Sequence, residues 1–242
     1  MIPVDSLLYK IDQKLNKLST NEHQQIQLED KILALNEAQI ALIKQKMDPP
    51  TPNGEGMDAS RKRYEDLQNL IENYEDHPLS LTLVNKQLNK WMTPLSGINP
   101  SYMFYVDAYV LADKGRCLDR KIWINRDLAS HGDIQFILNN IHYKPSFEYQ
   151  ETFTFIASNE IAIFTDGTFT PTKLHLSYIR YPKYIDKAGY VKLDGNPSVD
   201  KDCELNYYLE DELIDLTVQN LAMYTENAGA VNSAQTRIQT NE

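Results

Sequence analysis

The chain has 242 residues, enough for one large domain or two small ones around a real hydrophobic core. Its hydrophobic share of 42% and charged share of 24% are those of a globular protein, and no apolar run is long enough for a membrane span. A formal charge of −10 argues against the broad basic surface that binds nucleic acid by neutralising phosphates.

Pro3 suits the first turn of a helix, and Val4, Leu7, Leu8, Ile11, Leu15 and Leu18 follow at three- and four-residue steps. That is one narrow apolar stripe. The charges within it, in MIPVDSLLYKIDQKL, do not fit a signal peptide. Ser19 with Glu22 reads as a capping box that starts a second helix, and Lys44 and Lys46 favour its C-terminal turn. Residues 1–47 therefore read as a helical hairpin. The second helix carries two heptad rows: Ile26, Leu33, Ile40 and Met47 on one side, and Leu28, Leu35 and Leu42 nearly opposite. A partner helix with a narrow stripe covers only one row. The other needs a further segment of this chain or a neighbouring subunit.

Residues 48–60 are rich in Pro and Gly and read as a linker. Residues 61–101 read as a helical segment. Tyr64, Leu67, Leu70, Ile71 and Tyr74 suggest one helix, ended by Pro78, and Leu81, Val84, Leu88 and Trp91 suggest another. From 102 to 203 the period falls to two. Phe104, Val106, Ala108 and Val110 alternate with Tyr105, Asp107 and Tyr109. Strands follow at 121–125, 151–157, 161–165, 173–181 and 189–195, with a hairpin turn near Ser158-Asn159, a turn at Asp166-Gly167 and a short helix near 133–140. Residues 204–228 form an amphipathic helix with Asn206 as N-cap; Leu209, Leu213, Thr217, Leu221 and Tyr224 line its inner face, widened by Ile214 and Val218. Residues 229–242 are polar and read as an extended arm that contacts a neighbour through Val231, Arg237 and Ile238, or as a frayed terminus. The fold class is α+β: an N-terminal helical hairpin, a mostly antiparallel β-rich body and a C-terminal amphipathic helix with a tail.

Signals for chemistry are weak. Asp127 and His131 stand four apart, but Gly132 follows at once. Asp211 and Asp215 are spaced as a carboxylate pair on a helix, or as an ordinary solvated acidic face. Cys117 and Cys203 fit no metal or redox spacing, and two lone thiols suit a reducing cytosol. There is no GxSxG, phosphate loop or dinucleotide fingerprint. No catalytic, cofactor or metal residue is assigned, and no small-molecule substrate. The fifteen tyrosines fit either a Tyr-rich β region or a contact surface. Between Asp194 and Glu226 nine acids face Lys201 alone.

Several stretches resemble the structural virion proteins of crAss-like tailed phages: LNEAQIALIKQK, YVLADKGRCLDRKI, YIRYPKYID, GYVKLDG, and DCELNYYLEDELIDLTVQNLAMYTENAGAV. More specifically they resemble the ring or adaptor proteins of the head-to-tail connector. The resemblance covers most of residues 3–46 and 102–242. A strand ending Tyr178-Ile179-Arg180-Tyr181-Pro182 and leading through an acidic loop to a helix is similar to tail adaptors, with Asn206 where they have Pro. The resemblance implies a non-enzymatic homo-oligomer, commonly a dodecameric ring, between the portal protein and adjacent tail or ring proteins. It implies a place in the virion neck or tail, and in the host cytoplasm during assembly, with no membrane contact and with DNA passing through without specific binding. On that reading Ile26, Leu33, Ile40 and Met47, with the arm, are subunit contacts. Asp202, Glu204, Asp211 and Asp215 then form an acidic channel face that repels passing DNA. The alternatives are another assembly role (tail tube, baseplate or cargo) and a carboxylate-dependent enzyme.

Overall fold

The computed structural model describes residues 1–18, 26–47, 65–74, 79–126, 132–192 and 195–224. The chain divides into two compact units, Met1–Leu70 with Pro182–Glu242, and Ile71–Tyr181. The fold is α+β, as the periodicities predict. Residues 182–203, read with the β body, fall in the unit of the long helices. The capping box at Ser19, the linker at 48–60 and the arm at 229–242 lie outside the described residues.

Four α-helices have described bounds, α1 (Val4–Leu18), α2 (Leu28–Met47), α3 (Ile134–Asn139) and α4 (Glu210–Tyr224). Three of them belong to the first unit, where α4 packs against both α1 and α2. Of the predicted stripe of α1, Val4, Leu7, Ile11 and Leu15 are buried and Leu8 is half-buried. On α4 the buried face holds Leu209 just before the helix, then Leu213, Ile214, Thr217, Val218 and Leu221. The start of α1 is fastened twice. Ile2 exchanges backbone hydrogen bonds with Cys203, and the Val4 N–H donates to Asp202 Oδ1 at 3.0 Å, so a carboxylate meets the positive end of the helix. Asn206 does not act as the predicted side-chain cap. Its amide instead donates to the carbonyls of Glu65 and Asp66, tying a helical turn at 65–67 to the approach to α4.

The second unit holds nine described strands: β1 (Ile71–Asn73), β2 (Leu79–Ser80), β3 (Thr82–Asn85), β4 (Lys90–Pro94), β5 (Tyr102–Lys114), β6 (Cys117–Arg126), β7 (Glu151–Ala157), β8 (Glu160–Phe164) and β9 (Thr170–Arg180). They form one sheet in the order β1-β9-β5-β6-β7-β8-β4-β3, with β2 also on β9. All pairs are antiparallel except β6 with β7, whose crossover carries α3. Residues 65–70 are helical as expected, but from Ile71 onward the sheet corrects the helical reading of 61–101. Leu81, Val84, Leu88 and Trp91 have a helical spacing, but Asn85 Oδ1 accepts the Gln87 and Leu88 N–H groups and Asn89 adopts φ 46°, so the chain turns back as a β3–β4 hairpin. The predicted strand at 189–195 is also absent among the described residues; Val191 makes only an isolated bridge to Pro197.

Two apolar clusters flank β8. Ile161 and Ile163 join Ala108, Val110, Ala112, Ile122, Leu174 and Leu176, while Ala162 and Phe164 join Phe153, Phe155 and Ile137 of α3. The β7–β8 turn is the predicted one: Ser158 and Asn159 both adopt positive φ, the conformation that matches the twist of a two-residue hairpin. On β5 the predicted alternation fails at its start. Register shifts between Tyr102 and Phe104 and between Tyr105 and Asp107 bring Tyr102 and Tyr105 against the core, in place of Phe104 and Val106.

Candidate assembly surfaces

The acidic segment meets its counter-charges inside the first unit. Lys10 of α1 pairs with Glu210 at 2.6 Å, Lys14 with Asp215 at 2.7 Å, Lys46 of α2 with Glu212 at 2.7 Å and Lys183 with Glu204 at 2.8 Å. Glu210 and Asp215 are each only 2% exposed. Burial alone pushes the Glu210 carboxyl up, but hydrogen bonds from Lys10 and Ser6 outweigh it and hold the group below its ordinary range. A second buried carboxylate, Asp186, accepts from Tyr190 Oη at 2.8 Å, Lys192 Nζ at 2.7 Å and the N–H groups of Lys187 and Val199. Burial opposes its charge, and these donors prevail and depress its pKa.

Of the four acids expected on a channel face, Glu204 and Asp215 are buried against Lys183 and Lys14, whereas Asp202 and Asp211 are exposed. Of the spaced carboxylates Asp211 and Asp215, the first lies in solvent and the second is held by Lys14. Among the described residues no group of His, Cys, Asp and Glu is arranged to hold a metal. Asp127 and His131 lie outside those residues.

The two rows along α2 differ in part. Leu35 and Leu42 are buried, with Ile32 and Ile43 beside them, and Leu28 is half-buried, whereas Leu33 is 49% exposed and Ile26, Ile40 and Met47 are half-buried. Around that open row lie exposed Glu29, Asp30, Glu37 and Lys44. Val231, Arg237 and Ile238 lie outside the described residues.

A second surface lies on one face of the sheet. Register places His175 of β9, Tyr109 of β5 and Trp123 of β6 in one rank across the sheet, on the face opposite Val110, Ile122 and Leu174. Lys173, Leu111 and Lys121 form the next rank on that face. Tyr109 stacks on His175 with centroids 4.5 Å apart and meets Trp123 at 6.2 Å. Lys121 reaches back over both rings, its Nζ 3.6 Å from the Tyr109 centroid and 4.1 Å from that of Trp123. Trp123 remains 48% exposed. The signal lay in the two-residue spacing of Lys121 and Trp123, but which strands flank β5 is a long-range fact.

No protein-family model matches the chain, and no curated protein matches it. No helix among the described residues is long and apolar enough to cross a membrane.

Proposed function

We propose that the chain is a structural subunit of a phage head-to-tail connector, one copy in a ring between portal and tail, in the virion neck and around the DNA exit path. The observation that carries this reading is the division of labour among its side chains. Buried carboxylates are spent on lysines within the fold, while large apolar side chains stand exposed on each of the two units: Leu33 on α2, and Trp123, with Phe136 and Tyr149, on the sheet unit. Ring closure needs two unlike contact faces on every subunit, because head-to-tail contacts join different patches. Exposed apolar side chains are what such contacts bury. The resemblance to connector proteins, quoted above on five stretches of sequence, points the same way. On this reading Asp202 and Asp211 supply the like charge that keeps passing DNA from adhering, and the chain performs no catalysis.

Negative-stain imaging of the purified full chain, mixed with the portal and neighbouring ring proteins of the same phage, tests this. Annular particles containing the chain are expected. A chain that stays monomeric in that mixture contradicts the reading.

A further inference from the structure

We infer that α1 is an acid-released strap: when Glu210 and Asp215 take up protons, α1 leaves the α2–α4 pair as a unit while α2 and α4 stay folded. The inference concerns the single chain and does not rest on the connector reading.

Two observations carry it. The first is where the polar ties of α1 end. Ser6, Lys10 and Lys14 follow at four-residue steps, so they form one row beside the apolar stripe of Val4, Leu7, Ile11 and Leu15. The whole row lands on two buried carboxylates of α4, Ser6 and Lys10 on Glu210 and Lys14 on Asp215. A third carboxylate, Asp202, accepts the Val4 N–H. Lys187 links Asp5 to Asp200, and Lys31 of α2 takes Asp12. Each of these ties needs an ionised carboxylate; the backbone bonds of Ile2 with Cys203 are the exception.

The second is how narrow the apolar anchor is. α1 buries a single stripe. α2 buries a wider arc, with Ile32, Leu35, Ala38, Leu42 and Ile43, and α4 does the same with Leu213, Ile214, Thr217, Val218 and Leu221. α2 and α4 therefore hold each other mainly by apolar packing, which protons leave alone. Lys46 of α2 adds one ion pair there, to Glu212, with Asp66 4.0 Å away.

Lys10 and Ser6 of α1 and Tyr207 of the turn before α4 face Glu210, and Lys14 faces Asp215. A proton on either carboxylate removes the charge that the lysine came to meet. The two ammonium groups, 36% and 23% exposed, then turn to water, and the apolar stripe alone must hold a helix of 15 residues against its conformational entropy. The bonds from Lys10 and Ser6 hold Glu210 below its ordinary 4.5, so the strap stays shut at neutrality and opens as pH falls below that value.

Hydrogen exchange of the full chain, read by mass spectrometry from pH 7 to pH 3 and normalised to the unfolded chain at each pH, tests this. Peptides from 4–18 should lose protection by about tenfold or more below about pH 4.5, while those from α2, α4 and β9 stay protected. Glu210→Gln with Asp215→Asn should show the open strap already at pH 7, with α1 exchange no longer dependent on pH. The wild-type titration decides the matter alone if that variant fails to fold. Loss of protection in α1, α2 and α4 at one pH and by one factor would make them a single cooperative block and overturn the inference. So would earlier loss in 185–203, which would place the acid-sensitive element at Asp186, or a folded double variant that keeps α1 protected at pH 7.

Discussion

Asn36 and Ile185 pair like neighbouring strands although one lies on a helix. Asn36 Nδ2 donates to the Ile185 carbonyl at 2.9 Å, and the Ile185 N–H donates to Asn36 Oδ1 at 2.8 Å. The same Nδ2 also reaches the Ile32 carbonyl at 2.8 Å. A polar residue in the buried stripe of α2 thus satisfies the backbone of the loop that returns from the sheet unit. Replacing it, Asn36→Leu, should cost about 2–3 kcal/mol, because it takes the partner from a buried N–H and C=O. Urea denaturation would report the loss; an unchanged midpoint would mean the pairing is incidental.

The clamp of α1 on α4 predicts a pH dependence. Glu210 titrates below its ordinary value of 4.5. A carboxylate depressed in the folded state stabilises the fold above its unfolded pKa, and that contribution fades as pH falls through the folded value. Asp186, also depressed, acts in the same direction. Stability should therefore be level near neutrality and fall steeply below about pH 4.5. In Glu210→Gln the fall should be shallower, although stability at pH 7 is lower. Denaturation midpoints between pH 3 and pH 7 decide it; parallel profiles for variant and wild type would refute the assignment.

Lys10→Met separates the ion pair from simple packing. It strands a carboxylate that is 2% exposed, and should cost about 1–3 kcal/mol at pH 7. The partly exposed ammonium keeps the figure toward the lower end. Lys10→Met with Glu210→Met should recover part of that loss in a double-mutant cycle. Strict additivity of the two substitutions would show that the groups do not interact.

The thiols should differ sharply in reactivity. Cys203 is fully buried, and burial pushes its pKa up to about 11, while Cys117 is exposed on β6. An alkylating reagent at pH 8 should modify one thiol per native chain at once, and the second only after denaturant is added. Rapid modification of both would show that the Ile2–Cys203 clasp opens readily.

Much of the fold was legible because its cues are local. The stripes of α1 and α4 and the Ser158-Asn159 turn follow from spacing and from residues that tolerate positive φ. Residues 71–94 misled because Leu81, Val84, Leu88 and Trp91 fall at helical intervals, while Asn85 and Asn89 decide in favour of a turn. The acidic segment misled for another reason. The lysines that neutralise Glu210 and Asp215 lie about two hundred residues away in sequence, so a charge count along the chain sees the acids without their partners. The open row of α2 could be predicted as a pair of alternatives, since two opposite heptad rows cannot both be covered by one narrow stripe. The aromatic rank could not, because it exists only once β9, β5 and β6 are side by side.

Electron cryo-microscopy of intact particles carrying this chain tests the central claim most directly. The account predicts density for the α4-centred helices and the nine-stranded sheet repeated around the axis between portal and tail, with α2 and Trp123 buried between neighbouring copies. Density for the chain inside the capsid, or in no ring at all, would contradict it.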